Sequence, residues 1–185
     1  MVENLKDEEL KHHKFSFYLG SILPDIKPSF LYKRHEMDGT FPYVSRHIRR
    51  LSEGDALIRK KKGCKYYRDL GQISHYLADY FTFPHNKTFD GTLRQHNSYE
   101  KHLKNELKAF VQEGKAEAYA AHVIRFETLN QLLEYIKVHH RRYMNCKRSV
   151  EEDIRYILSV CYQVFQGLFQ LCMKDPMAEY ATAVM

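Results

Sequence analysis

Apolar residues recur at intervals of three and four along almost the whole chain, and the alternation typical of a β-strand is nearly absent. This periodicity predicts an all-α fold in which each helix buries one face. The first helix has an apolar stripe that we expect in the core: Phe15, Tyr18, Leu19 and Ile22. Pro24 is expected to end this helix near residue 22, and an irregular segment is predicted from residue 23 to residue 40.

Five further helices follow from the same spacing. They are predicted over residues 42–61, 66–81, 93–112, 128–145 and 150–173. Two of them begin with a capping box, in which a hydroxyl and a residue three positions later satisfy unpaired amides: Thr128 with Gln131, and Ser149 with Glu152. No internal repeat or linker interrupts the pattern, so residues 1–185 are expected to form one compact multi-helix bundle.

Composition excludes several classes of protein. With 44% hydrophobic residues, 8 Gly and 5 Pro, the chain is neither disordered nor fibrous. The longest uncharged stretch, residues 156–173, contains Ser159, Gln163 and Gln166, and it is too polar to span a bilayer. The acidic first residues lack the pattern of a secretory signal, so we expect a cytoplasmic protein. The 4 cysteines form no Cys-x-x-Cys pair, which argues against a disulfide framework.

Charge and histidine content point to anionic partners and to metal. The net charge of +6 favours phosphates, nucleic acid or a lipid surface. Histidine is unusually frequent, with 11 residues in 185. Four of these histidines stand among Lys and Arg and are expected on solvated faces: His47, His122, His139 and His140.

Two His-x-x-x-acid pairs, His75 with Asp79 and His96 with Glu100, have the spacing at which two side chains share a helix face and can hold one metal ion. The spacing alone is weak evidence, because a third pair, His102 with Glu106, is interpreted as an exposed helical pair. A solvated His/Asp pair is therefore the alternative reading of the first.

A third histidine strengthens the metal hypothesis. His85 is predicted just past the end of the helix that carries His75, and a loop of about ten residues allows it to meet His96 and Glu100. One carboxylate and two imidazoles are the ligand set of a catalytic rather than a structural zinc. Taken alone, His85 would be read as an ordinary turn histidine.

The order of these motifs along the chain resembles that of the bacterial zinc-dependent phospholipase C family. The resemblance covers about residues 15–105. It rests on four segments in family order: GSILPD at 20–25, RHEMDGTF at 34–41, GQISHYLADYFTFPH at 71–85 and HNSYE at 96–100.

The resemblance implies an all-α fold whose polar cleft holds up to three zinc ions that hydrolyse a phosphodiester. It implies a first zinc site formed by Asp25, His35, His75 and Asp79. It implies a second zinc site formed by His85, His96 and Glu100. Asp79 would also bridge to the third ion, and two zinc ions are expected to be bound.

The third zinc site of the family also uses an N-terminal histidine and the free amine of an N-terminal tryptophan, and this chain has no tryptophan. Of the early histidines His12 and His13, we favour His12, which falls in line with Phe15 and Leu19 and is expected to face the core. Because no leading histidine helix is visible, our hypothesis is that the natural chain starts upstream of Met1.

The resulting prediction is a zinc-dependent phosphodiester hydrolase, phospholipase C-like, that cleaves a phospholipid or related phosphodiester. By resemblance, Asp25 would also act as the general base. Two alternatives remain open. One is a phosphodiesterase like the fungal single-strand nucleases, because a chain of charge +6 tolerates nucleic acid. The other is a metal-binding protein without catalytic activity. The oligomeric state cannot be predicted.

Overall fold

The structure is a computed structural model that describes residues 8–26, 36–53 and 63–173. Within these ranges it contains eight α-helices and no β-strand, which confirms the predicted all-α fold. The helices are α1 (Glu8–His12), α2 (Lys14–Ile26), α3 (Met37–Glu53), α4 (Cys64–Tyr80), α5 (Leu93–Gln112), α6 (Glu117–Ala121), α7 (Leu129–Met144) and α8 (Val150–Met173). A short 3-10 helix, Phe83–His85, lies between α4 and α5.

The last helix, α8, forms the centre of the bundle. It packs against α3, α4, α5, α6 and α7. Its buried side is almost continuously apolar and includes Val160, Tyr162, Val164, Phe165 and Leu168. Full burial of an aliphatic or aromatic side chain of this size contributes about 1.5–3 kcal/mol, so α8 supplies much of the energy that holds the other helices in place.

Helices α2 and α4 approach each other unusually closely, and two glycines make this possible. A Cβ atom on Gly71 would lie 2.1 Å from the backbone oxygen of Phe17, and a Cβ atom on Gly20 would lie 2.0 Å from the backbone oxygen of Arg68. The two backbones are therefore in direct contact, which no other residue type would allow. One turn further along each helix this contact brings Asp25 beside His75.

The structure corrects the predicted first helix in two ways. Helix α2 continues through Pro24 to Ile26, because Pro24 is buried on the same face as Phe17 and Gly20. The packing of this face compensates for the hydrogen bond that the proline removes. The expected core stripe is instead exposed, with Phe15 at 79% and Ile22 at 51% of full exposure. Small residues at the contact with α4, and not large apolar ones, decide which face is buried.

The segment predicted as irregular is also partly helical, because α3 begins at Met37 and includes Asp38 and Gly39. The predicted end of that helix, residue 61, lies outside the described residues. The remaining predicted helices agree with the structure within two residues. Thr128 and Gln131 form the predicted capping box, and the Ser149 hydroxyl accepts a hydrogen bond from the Glu152 amide. In the described ranges, no helix is both long and apolar enough to cross a bilayer.

Candidate metal centre

The first part of the site lies where α2 ends beside α4. Nε2 of His75 is 3.3 Å from Oδ1 of Asp25 and 3.0 Å from Oδ2 of Asp79. His75 and Asp79 are one helical turn apart on α4, so their side chains point to the same side. The Asp25 side chain is 56% exposed, whereas those of His75 and Asp79 are 13% exposed. Asp25 therefore forms the solvent side of this half of the site.

Asp79 joins this half to a second group of ligands. Its Oδ2 atom faces His75, whereas its Oδ1 atom lies 3.7 Å from Nε2 of His85. The two oxygens of one carboxylate therefore contact different histidines. This arrangement would allow the carboxylate to bridge the first and the second group, whereas the resemblance implied a bridge from the first site to a third ion.

The chain reversal after α4 brings His85 to this position. The Asn86 side chain is buried, and its amide donates hydrogen bonds to the backbone oxygens of Tyr80 and Thr82. The Thr82 hydroxyl in turn donates to the backbone oxygen of Ala78. These bonds add to the backbone hydrogen bonds at the end of α4 and hold the 3-10 helix back against it. His85 consequently faces Asp79 and not the solvent.

The other two ligands come from the beginning of α5. A capping box formed by Thr92 and Gln95 starts this helix, so its first turns are well defined. His96 and Glu100 follow on one face, with 3.2 Å between Nε2 and Oε1. The same Oε1 atom lies 2.9 Å from Nε2 of His85. One ligand atom from each of His85, His96 and Glu100 lies within 4.8 Å of the other two.

The charges of the site favour a cation. Burial alone would lower the pKa of the His75 imidazole, but the contacts with Asp25 and Asp79 raise this pKa to about 10. Burial is likewise outweighed at His85, whose pKa is raised by Asp79 and Glu100. The hydrogen bond from His85 lowers the pKa of Glu100. The carboxylate oxygens of Asp25, Asp79 and Glu100 thus lie around a partly buried site and stabilise positive charge between them.

The residues present fit zinc. Imidazole nitrogens and carboxylate oxygens are its usual ligands in catalytic sites, and three protein ligands leave a position for water or substrate. His85, His96 and Glu100 provide such a set, and Asp25, His75 and Asp79 form a second group of the same chemistry. His75, His85 and His96 each present Nε2 to the cluster, so a single kind of nitrogen would face a bound ion.

The structure thus brings together six of the eight predicted ligands: Asp25, His75, Asp79, His85, His96 and Glu100. His35 lies outside the described residues, so its role stays a prediction. His12 is exposed, and Phe15 beside it is exposed as well. The expectation that His12 faces the core is therefore wrong, because His12 ends α1 and the stripe of Phe15 and Leu19 with which it was aligned is exposed. Its role as a ligand stays untested.

A known family of proteins matches most of the chain. The profile of the family described as zinc-dependent phospholipase C matches residues 1–150 of the chain. The chain belongs to the zinc-dependent phospholipase C family. The match covers every proposed ligand and extends well beyond the residues 15–105 on which the resemblance rested. No curated protein and no solved structure matches the chain.

Helix α8, which begins where the residues matched by the family end, contributes a polar residue that the sequence analysis did not identify. Asp153 is fully buried and accepts hydrogen bonds next to the candidate metal ligands of this phospholipase C-family protein. In the sequence it looks like one of three acids that favour the start of a helix. The signal that could have revealed it is its position on the apolar stripe of α8, three residues after Val150 and four before Ile157.

Two further histidines also differ from the sequence prediction. His139 and His140 were expected on a solvated face, but both are partly buried, and burial lowers the pKa of each. Nε2 of His140 lies 3.0 Å from Oδ1 of Asn86. His140 therefore supports the chain reversal that carries His85, a role that Lys- and Arg-rich surroundings in the sequence concealed.

Proposed function

We propose that this protein is a zinc-dependent hydrolase that cleaves the phosphodiester bond of a phospholipid. The observation that supports this most strongly is the placement of Asp79, whose two oxygens face two different histidines. Asp79 can therefore be shared by two ions, and a pair of ions suits a phosphodiester better than a single structural ion does. Membership of the zinc-dependent phospholipase C family supports the same substrate class.

The proposed ligands of one ion are His85, His96 and Glu100, and those of the other include Asp25, His75 and Asp79. When bound, zinc supplies a water of lowered pKa and neutralises the charge that develops on the phosphate. The positive charge of two divalent ions exceeds the negative charge of the three carboxylates. The site would therefore keep a net positive charge that attracts an anionic diester.

We assign the general-base role to Asp25. Its carboxylate is the most exposed of the three in the cluster, so an incoming water can reach it. In this proposal the Asp25 carboxylate takes the proton of the attacking water, and the contact with His75 keeps the carboxylate at the edge of the cluster. Nearby aromatic rings give the site an apolar wall: Tyr43 packs on Tyr76, and Phe89 packs on His96.

The test is a substrate panel with zinc-loaded protein. A short-chain phosphatidylcholine and a single-stranded oligonucleotide are supplied separately, and release of the phosphorylated head group or of nucleotides is measured. We expect head-group release, and we expect Asp25→Asn to slow it at least about 100-fold, a typical contribution of general-base catalysis. Faster cleavage of the oligonucleotide would contradict the lipid substrate. Zinc-loaded protein that cleaves neither substrate would contradict the enzymatic role.

A further inference from the structure

One carboxylate outside the ligand cluster connects three segments of the chain. Asp153, in the first turn of α8, has no exposed surface. Its Oδ2 atom accepts hydrogen bonds from the backbone amide of Phe83 at 2.9 Å and from the hydroxyl of Tyr99 at 2.9 Å. Its Oδ1 atom accepts a hydrogen bond from the hydroxyl of Tyr143 at 2.7 Å.

Two of these three donors lie within two residues of proposed zinc ligands. Phe83 is the first residue of the 3-10 helix that ends with His85, and Tyr99 precedes Glu100 on α5. A single oxygen atom thus holds the segment with His85 and the helix with Glu100 at a fixed spacing. The third donor, Tyr143, comes from α7, which carries none of the ligands proposed for the cluster.

Packing alone does not account for a carboxylate at the buried position 153. A buried carboxylate loses its hydration, and an apolar side chain at the same place on α8 would avoid this cost. Burial accordingly raises the pKa of Asp153, although its three donors oppose the shift. The nearby guanidinium of Arg148 lies over the rings of Phe83 and Tyr143. What the carboxylate provides, and an apolar residue would not, is a fixed acceptor for two segments that carry ligands.

We propose that Asp153 is a positioning residue for the zinc site formed by His85, His96 and Glu100. Its Oδ2 atom sets the distance between the 3-10 helix and α5, and so the distance between His85 and the His96–Glu100 pair. The proposal rests on the proposed zinc site, and it assigns a role in that site to a residue beyond the 1–150 family match.

Two matched variants test it, since Tyr99→Phe and Tyr143→Phe each remove one hydroxyl from the same carboxylate. The ring of residue 99 still packs on Phe83, whose centroid lies 5.9 Å away. Zinc affinity is measured by competition with a chromophoric chelator, and folding by thermal unfolding with excess chelator. We expect Tyr99→Phe to weaken binding of one zinc ion about tenfold, a usual effect of a lost outer hydrogen bond. Tyr143→Phe should lower the unfolding temperature but leave zinc affinity unchanged.

A second pair of variants separates positioning from packing. Asp153→Asn keeps one acceptor oxygen for Phe83 and Tyr99, and its amide can donate to Tyr143, so zinc affinity should stay within about threefold of wild type. Asp153→Leu removes both acceptors and should lose one of the ions.

Equal zinc affinities for Tyr99→Phe and Tyr143→Phe would overturn the positioning role and leave the proposed function intact. Wild-type protein that binds no zinc would overturn both.

Discussion

At the scale of single residues, the cluster depends on carboxylates that each serve more than one partner. Oε1 of Glu100 faces both His85 and His96, and Asp79 divides its two oxygens between His75 and His85. Loss of a shared ligand affects both groups of the cluster, whereas loss of a terminal ligand affects one. Asp79 should therefore be the most costly ligand to replace.

We expect Asp79→Asn to lower zinc content and to reduce phosphodiester hydrolysis at least about 100-fold, because the amide keeps the shape but lacks the charge that zinc requires. Elemental analysis and a hydrolysis assay measure the two effects. Glu106→Gln is the matched control, since Glu106 also has a histidine one turn away, His102, but both are exposed and their closest atoms are 3.9 Å apart. If the two variants behave alike, the assignment of the bridging carboxylate is wrong.

The buried carboxyl of Asp153 also predicts a dependence of stability on pH. Burial raises its pKa in the folded chain above the value in the unfolded chain, so its contribution to folding is complete below the unfolded pKa and lost as pH rises through the folded pKa. The free energy of unfolding of the wild type, relative to Asp153→Asn, should therefore fall as pH rises above the ordinary aspartate pKa of about 4. Urea denaturation of both proteins with excess chelator measures this difference. A difference that grows with pH would contradict the burial argument.

At the scale of helices, the sequence predicted where the helices lie better than which face of each helix is buried. The three- and four-residue spacing was sufficient for α4, α5, α7 and α8, and in α4 the apolar residues at this spacing, Leu70, Ile73 and Leu77, are buried. The orientation of α2 could not be found in this way, because its contact with α4 is made by Gly20 and Gly71, which carry no side chain to register as hydrophobic.

The candidate site was likewise predicted only in part from the sequence. Four-residue spacing indicated that His75 and Asp79 share a face, and likewise His96 and Glu100, and the structure has both pairs in contact. Spacing could not show that Asp25 meets His75, because that contact depends on how closely α2 approaches α4. It also could not distinguish these pairs from the exposed pair of His102 and Glu106.

Gly71→Ala tests the close approach of the two helices. The new methyl group would lie 2.1 Å from the backbone oxygen of Phe17, so α2 must move away from α4. We expect a loss of about 1–3 kcal/mol in the free energy of unfolding, as for other overpacked sites, and weaker zinc binding as Asp25 moves from His75. Denaturation measures the change in the free energy of unfolding, and competition with a chelator measures zinc affinity.

Gly114→Ala is the control for this prediction. Gly114 has a φ of 73° and no atom within 4 Å of an added Cβ, so alanine there costs about 1–2 kcal/mol of backbone strain without moving any ligand. Zinc affinity should be unchanged. Equal zinc affinities for the two glycine variants would show that the helix contact does not position Asp25.

At the scale of the whole molecule, the six proposed ligands that the structure brings together span residues 25–100, and they meet only when α2, α4, the 3-10 helix and α5 are packed together. Helix α8 supports this arrangement from the centre of the bundle, and its Asp153 contacts two of the segments directly. Metal binding and folding should consequently stabilise each other, because the unfolded chain has no such site.

The most direct test of the central claim is the rate of phospholipid hydrolysis as zinc is added stepwise to chelator-treated protein. If the cluster is a zinc-dependent phosphodiesterase site, hydrolysis should be absent without metal, rise with added zinc and saturate at about two ions per chain. A rate that is the same with chelator and with zinc, or no hydrolysis at any zinc concentration by a protein that binds the metal, would contradict it.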